Sequence, residues 1–221
     1  MISQTAYTAF QDEAEPDIPL AMWSSPNTRA SLMTALVSQF SRRGDLVATT
    51  LWRDWGELLR YGRQALAWCH PAELPQAEAM AAQLPAAQRG HGHVESATDE
   101  NLSVKLIHLD GSIDLLICNQ DANLCEGFWS AASRALHRKG TLAVIFDPTN
   151  AEADTQIIHN AGGARLHCIE HIETQDISEF SHSTQTKPIN KLDNVFENTF
   201  RRDVVLFRKC AIENQSLHAN N

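Results

Sequence analysis

Apolar residues recur along the chain with two different periods, and these periods predict its helices and strands. Leu32, Leu36 and Phe40 are four residues apart in "TRASLMTALVSQFSRR", which predicts an amphipathic helix that begins near residue 28. A Gly-Asp pair ends this helix. The next run, "LVATTLW", is short, apolar and β-branched, as is typical of a buried strand.

From this strand onward, predicted helices and strands alternate. The strands read "QALAWC", "VKLIHL", "IDLLICN" and "TLAVIFD"; the helices read "WGELLRYG", "AELPQAEAMAAQLPAAQ", "NLCEGFWSAASRALHRKG" and "NAEADTQIIHNAGG". The stretch "RGHGHVESATDENL" is predicted to be a polar loop. We expect Gly140 to end the third of these helices, and Gly162 or Gly163 suits the left-handed position that closes the last one.

The end of the chain breaks this alternation. "ARLHCIEHI" and "DVVLFRK" read as strands, and only the polar connection 173–202 lies between them. Because parallel neighbours usually need a helical crossover, we expect this pair to be antiparallel. The pattern therefore predicts an α/β fold, a Rossmann-like three-layer sandwich with a seven-strand, mostly parallel sheet and an antiparallel last strand.

The predicted elements divide the chain into one domain and two flanking segments. Residues 1–27 form an N-terminal extension without a periodic pattern, residues 28–210 form the domain, and residues 211–221 form a tail. Connection 173–202 exceeds the usual length of a loop in a compact domain, so it is a candidate lid or binding loop.

Charge and cysteine content narrow the classes of partner. The formal net charge of −9 opposes long-range attraction to polyanions, so any nucleic-acid contact must be local. The pairs Arg42-Arg43 and Arg201-Arg202 are the candidates for such a contact. The five cysteines form no CxxC pair, and no metal site or disulfide framework is predicted. The chain start lacks the pattern of a signal peptide, and no apolar run approaches the ~20 residues of a membrane span, so we expect a cytoplasmic protein.

One gap-free run carries a family resemblance. Residues 111–147, "GSIDLLICNQDANLCEGFWSAASRALHRKGTLAVIFD", contain a strand, a helix and a strand. They resemble the segment of class I S-adenosylmethionine-dependent methyltransferases that holds the fourth strand, the following helix and the fifth strand. The resemblance implies S-adenosylmethionine as the cofactor.

A narrower resemblance covers residues 25–80. "SPNTRASLMTALVSQFSRRGDLV" followed by "YGRQALAWCHPAELPQAEAM" is similar to the first half of the DNA amino-methyltransferases, which modify adenine N6 or cytosine N4. The terminal "FRRDVVLFRK" also looks like the closing strand of that family. This branch implies nucleic acid as a partner.

The cofactor loop implied by the resemblance is altered here. In the family the first strand ends in an acidic residue followed by Pro-Phe-x-Gly-x-Gly, and the glycines let the backbone pass close to the cofactor. Aligned without a gap, Thr49 takes the acidic position, Thr50 takes that of the proline, and Arg53 and Trp55 take those of the glycines. Gly56 follows directly.

Two further elements of the family are also altered. The carboxylate that should end the second strand and accept both ribose hydroxyls is replaced by Cys69, or by His70 if the register shifts by one. The (Asp/Asn/Ser)-Pro-Pro-aromatic motif after the fourth strand is Asn119-Gln120-Asp121-Ala122, so Asn119 is the one acceptable catalytic residue.

Two functions are compatible with these departures. The first is a non-catalytic, degenerate DNA-methyltransferase-like protein that binds a protein partner, such as an active methyltransferase subunit, or a nucleic acid. The second is an active S-adenosylmethionine-dependent methyltransferase with a divergent loop. Arg53 and Trp55 discriminate between them, because side chains that fill the cofactor pocket favour the first and side chains turned out of it permit the second.

Overall fold

One mixed β-sheet with helices packed on both faces organises the domain. The structure, a computed structural model, describes residues 20–25, 29–59, 62–120, 126–147, 153–176 and 202–209. Predictions that concern residues 1–19, 177–201 and 210–221 fall outside the described residues.

The strands, in chain order, are β1 (Leu20–Ser25), β2 (Leu46–Thr49), β3 (Gln64–Cys69), β4 (Gly92–Ser96), β5 (Ile113–Asn119), β6 (Leu136–Phe146), β7 (Leu166–Asp176) and β8 (Asp203–Lys209). The helices are α1 (Arg29–Phe40), α2 (Trp55–Leu58), α3 (Leu74–Gln83), α4 (Ala86–Arg89), α5 (Asp99–Ile107), α6 (Glu126–Ala135) and α7 (Ala153–Gly163). Short 3₁₀ turns at Trp52–Asp54 and Pro71–Glu73 precede α2 and α3.

The strand order is β1-β7-β8-β6-β5-β2-β3-β4. All neighbouring pairs are parallel except those of β8, which runs antiparallel to both β6 and β7. The predicted seven-strand, mostly parallel sheet with an antiparallel last strand is thereby confirmed. An eighth strand, β1, adds to the edge at β7, in the part of the chain where the sequence shows no periodic pattern.

The helices bury both faces of the sheet. On one face, α1, α2 and α3 cover Val47, Ala67 and Ile117; on the other, α5, α6 and α7 cover Ala48, Leu116 and Val144. Successive strand residues point to opposite faces, so strands covered on both sides are apolar throughout. This explains why the central strands were readable from the sequence.

The region around residues 90–110 differs from the prediction. The predicted loop "RGHGHVESATDENL" contains β4, and the predicted strand "VKLIHL" lies within α5. Leu102 and Leu106, four residues apart, are buried, whereas Val104 is 54% exposed, as expected of a helix and not of a strand. β4 reads as polar because it is an edge strand with only partial burial.

The ends of two predicted helices also differ from the prediction. The helix expected to stop at Gly140 ends at Ala135, and β6 begins at Leu136 with a register irregularity against β5. A glycine is required at 140 in this irregular segment, since a Cβ there would lie 2.6 Å from the carbonyl oxygen of Ile113. At the end of α7 the left-handed residue is Arg165, with φ of 60°, rather than a glycine.

Candidate functional site at the carboxyl ends of the strands

The strand order reverses between β2 and β5. β3 and β4 extend the sheet from β2 on one side, and β6 extends it from β5 on the other. In open α/β sheets, ligands bind beyond the carboxyl ends of the strands at such a point. The candidate site is therefore formed by the carboxyl end of β5 and the segments that follow β2 and β3.

The segment after β2 is held by a hydrogen bond within the segment and by two hydrogen bonds to β5. Thr49 is fully buried, and its Oγ1 accepts a hydrogen bond from the amide of Leu51 at 2.9 Å. The amide of Thr50 donates to the carbonyl of Ile117 at 3.1 Å, and Oγ1 of Thr50 accepts from the amide of Asn119 at 3.2 Å. The structure thus brings Thr50 and Asn119 together and places Thr49 in the core.

Trp52, Arg53 and Glu73 form a cluster that we call the Glu73 clamp. One carboxylate oxygen of Glu73 accepts from the indole N–H of Trp52 at 3.0 Å, and the other accepts from the Arg53 guanidinium at 3.1 Å. That guanidinium also lies 5.2 Å from the centroid of the Trp52 ring, within the range of a cation–π interaction. The clamp joins the segment after β2 to the segment after β3.

Electrostatics favour the ionised form of Glu73 in this clamp. The hydrogen bond from Trp52, supported by that from Arg53, holds the pKa of Glu73 below its usual value. The Trp52 side chain is buried, whereas that of Arg53 is 61% exposed. The clamp thus has a buried aromatic base and a solvent-exposed ion pair.

The two candidates at the end of β3 lie in different environments. Cys69 is buried, and burial raises the pKa of its thiol. His70 is exposed and caps the following 3₁₀ turn, with Nδ1 accepting from the amide of Ala72 at 3.3 Å. Neither side chain supplies the pair of acceptor oxygens that a ribose requires.

Trp55 and Gly56 contribute to the packing of α2. Trp55 is buried against Gly92, the first residue of β4, where a Cβ would overlap the indole ring. Because Gly92 lies at the amino end of its strand, Trp55 points away from the candidate site. A glycine is not sterically required at position 56, since a Cβ there would contact only the Leu84 side chain, at 3.7 Å.

A second polar pair lies at the same edge of the sheet. Nε2 of His171 on β7 lies 3.4 Å from Oδ2 of Asp203 at the start of β8, and the carboxylate is almost fully buried. The imidazole is 25% exposed, and its ring centroid lies 5.7 Å from that of Phe146. This contact is a close approach of opposite charges when the imidazole is protonated, without the geometry of a hydrogen bond.

Sequence reasoning missed Glu73 and the role of Trp52. The resemblance calls for a carboxylate at the end of the second strand, and Glu73 is the first one after it. That carboxylate comes after a Pro-containing turn, so its proximity to Trp52 depends on how the two loops pack.

In the described ranges, no group of three or more His, Cys, Asp or Glu side chains is placed to hold a metal ion. Nor does any described helix combine the length and apolarity needed to cross a bilayer.

Comparison with known proteins supports the fold. No protein-family model matches the chain, and no curated protein matches its sequence significantly. Solved methyltransferase structures are similar to it. A TehB-like S-adenosylmethionine-dependent methyltransferase from Corynebacterium glutamicum has a TM-score of 0.52 at 16% identity, over 80% of this chain and 87% of that one.

Two further similar structures are methyltransferases of other kinds, one an N-methyltransferase and one a C-methyltransferase. The glycopeptide N-methyltransferase MtfA with sinefungin has a TM-score of 0.61 at 9% identity, over 87% of this chain and 93% of that one. A geranyl diphosphate C-methyltransferase from Streptomyces coelicolor, solved with S-adenosyl-L-homocysteine, has a TM-score of 0.56 at 13% identity, covering 82% and 80% of the two chains. The chain therefore has the class I S-adenosylmethionine-dependent methyltransferase fold.

The residues at the site do not fit the cofactor in the way that the fold family holds it. Glu73 already accepts hydrogen bonds at both of its oxygens, from Trp52 and from Arg53. Cys69 is buried at the position expected to bind the ribose. A cofactor placed between the loops after β2 and β3 would have to open the Glu73 clamp.

Proposed function

We propose that this protein is a methyltransferase-fold protein that does not use S-adenosylmethionine and acts by binding a partner. The Glu73 clamp carries the proposal, because it joins the two segments between which the resemblance locates the cofactor. The exposed ion pair with Arg53 contributes little, whereas the hydrogen bond from the buried Trp52 indole to the Glu73 carboxylate is charge-assisted, so opening the clamp carries a free-energy cost. No methyl transfer is expected without that opening.

The narrower resemblance to DNA amino-methyltransferases fits this proposal. In that branch a Gly-Arg pair precedes the second strand, and Gly62-Arg63 occupies this place before β3. Arg63 is buried and donates to Ser41 and Val37 at the end of α1, so the pair has a structural role that loss of catalysis leaves intact. We infer descent from that branch with retention of its core.

Isothermal titration with S-adenosylmethionine and S-adenosylhomocysteine tests the proposal. We expect no saturable heat from the wild type at cofactor concentrations up to about 1 mM, equivalent to a binding free energy weaker than about −4 kcal/mol. Measurable binding is expected in a Trp52→Phe/Arg53→Gly variant, which removes both donors to Glu73 and keeps an aromatic ring in the core. Trp55 is left unchanged because it packs in the core.

An Arg89→Gly variant, altered at an exposed position away from the site, is the matched control and should behave like the wild type. Micromolar binding by the wild type would overturn the proposal.

One observation favours an active methyltransferase as the second candidate. Trp55 is turned away from the carboxyl ends, and Arg53 is exposed enough to move without disturbing the core. His171, which lies 3.4 Å from Asp203, would then offer a candidate base at the same edge. Cofactor binding by the wild type, followed by methyl transfer that is lost in His171→Asn, would establish this alternative.

A further inference from the structure

Cationic side chains gather at the amino ends of β6 and β7, the edge opposite the candidate site. β8 ends there because it is antiparallel, with Leu166 paired to Lys209. Arg138 and Lys139 lie near the start of β6, and Arg165 directly precedes β7. We call Arg138, Lys139, Arg165 and Lys209 the amino-edge band.

The charges of this band are not neutralised by neighbours. Arg138, Lys139 and Arg165 are exposed and Lys209 is half-buried. None of the four forms a side-chain ion pair within the described part of the chain.

Three other cations of the domain have acidic partners, whereas Arg42, Arg43 and Arg89 resemble the band in forming no ion pair within the described part of the chain. Arg53 pairs with Glu73, Lys105 with Glu95 and Arg134 with Asp110. No Asp or Glu occurs in the stretches that carry the band, which are 136–146, 164–169 and 204–209. Two carboxylates lie beside them: Asp110, which pairs with Arg134, and Asp114, which lies 3.9 Å from His137. Because the four cations of the band outnumber these carboxylates, the local charge is positive although the chain as a whole is acidic.

The backbone at Arg165 gives an independent indication. Its φ of 60° lies in the left-handed region, which is unfavourable for residues that carry a Cβ. Glycine would remove that cost, and glycines stand only two and three residues earlier, at 162 and 163. A charged side chain held in strained backbone points to a role for the side chain itself.

The dimensions of the band suit a chain of phosphates. Adjacent strands are about 4.8 Å apart, so β6 and β7, on either side of β8, are separated by about 10 Å. One nucleic-acid strand carries a phosphate about every 3.4 Å along the helix axis, so the band spans about three such intervals and can contact about four phosphates. Net negative charge over the rest of the molecule would restrict contact to this edge.

We propose that the amino-edge band binds the phosphate backbone of a nucleic acid without reading its sequence. This names a partner for the proposed binding function and in that respect depends on it. Cofactor binding and nucleic-acid binding are measured separately and at opposite edges of the sheet. Either proposal can therefore fail without the other.

Fluorescence anisotropy with labelled DNA and RNA of about 20 nucleotides, single-stranded and duplex, tests this proposal across a range of salt concentrations. For four phosphate contacts, the slope of log affinity against log salt should be about −2.8 on a single strand and about −3.6 on a duplex. An Arg138→Gln/Lys139→Gln variant should lower the magnitude of the slope by about half and weaken low-salt binding about tenfold or more.

Arg165→Gly separates binding from folding. This variant should bind more weakly while its melting temperature stays equal to or above that of the wild type, since glycine tolerates the left-handed conformation. If the loss of binding came from misfolding, the melting temperature would instead fall below that of the wild type.

Arg89→Gln/Lys105→Gln is the matched control. It also removes two charges, from α4 and α5 at the β4 end of the sheet, and should largely retain binding. Three results would overturn the proposal: no salt-dependent binding, equal losses in both double variants, or equally effective competition by polyglutamate. The last result would identify an acidic protein as the partner class.

Discussion

At the scale of single residues, Arg63 shows how one buried charge joins two elements. Its Nε donates to Oγ of Ser41 at 2.6 Å, and its terminal nitrogen donates to the carbonyls of Ser41 at 2.7 Å and Val37 at 3.0 Å. These carbonyls lie at the end of α1, where the helix dipole favours a cation. The segment before β3 therefore fixes the position of α1.

We expect Arg63→Met to lower the free energy of unfolding by about 2–4 kcal/mol, because buried carbonyls lose a charged donor. Urea denaturation followed by circular dichroism measures this change. Arg89→Met, at an exposed position, should stay within about 0.5 kcal/mol of the wild type. Equal stability of the two variants would refute the structural role of Arg63.

At the scale of elements, α5 shows how a short polar start can determine a helix. The amide of Thr98 donates to Oδ1 of Asn101 at 2.9 Å, and the first turn carries Asp99 and Glu100, which suit the positive end of the helix dipole. By itself the run "VKLIHL" predicts a strand, because a short apolar run does not distinguish the period of a strand from that of a helix.

Asn101→Ala should destabilise the domain by about 1 kcal/mol, since it removes the reciprocal cap of α5. The midpoint of urea unfolding at a constant m-value reports this change. Glu78→Ala, exposed on α3, is the control and should have little effect. An unchanged midpoint in Asn101→Ala would mean that packing of Leu102 and Leu106 alone specifies α5.

At the scale of the whole molecule, β8 joins the two parts of the sheet. It is the last of the described strands in sequence, yet it lies between β6 and β7, and Val204 to Phe207 are fully buried. The Phe207 ring meets that of Trp129 on α6 edge to face, with centroids 6.1 Å apart. The domain therefore depends on residues near the end of the described chain.

Phe207→Ala should cost about 3–5 kcal/mol and leave a single unfolding transition, because β8 couples both parts of the sheet. Thermal unfolding followed in the near and far ultraviolet measures both features. Ile158→Ala, at a position that is 40% exposed, should cost much less. Separate transitions in the two spectral regions would contradict the coupling.

Most of the fold was predictable because its central strands are buried on both faces and therefore read as continuous apolar runs. β4 and β1 were not, since edge strands need not be apolar. At the site, the positions of Thr49, Arg53, Cys69 and Asn119 followed from alignment with the family. Which way their side chains point did not follow.

The sequence by itself determined the class of fold and the edge of the sheet where a site should lie. It did so through local periodicity, turn residues and the run 111–147 that resembles a known family. The tertiary structure decided that Trp55 packs against Gly92, that Glu73 holds Trp52 and Arg53, and that four cations meet at the opposite edge. The physical reason is distance along the chain. Helices and strands follow from neighbours within a few residues, whereas these contacts join residues separated by about 20 positions or more, and only the packing of the sheet brings them together.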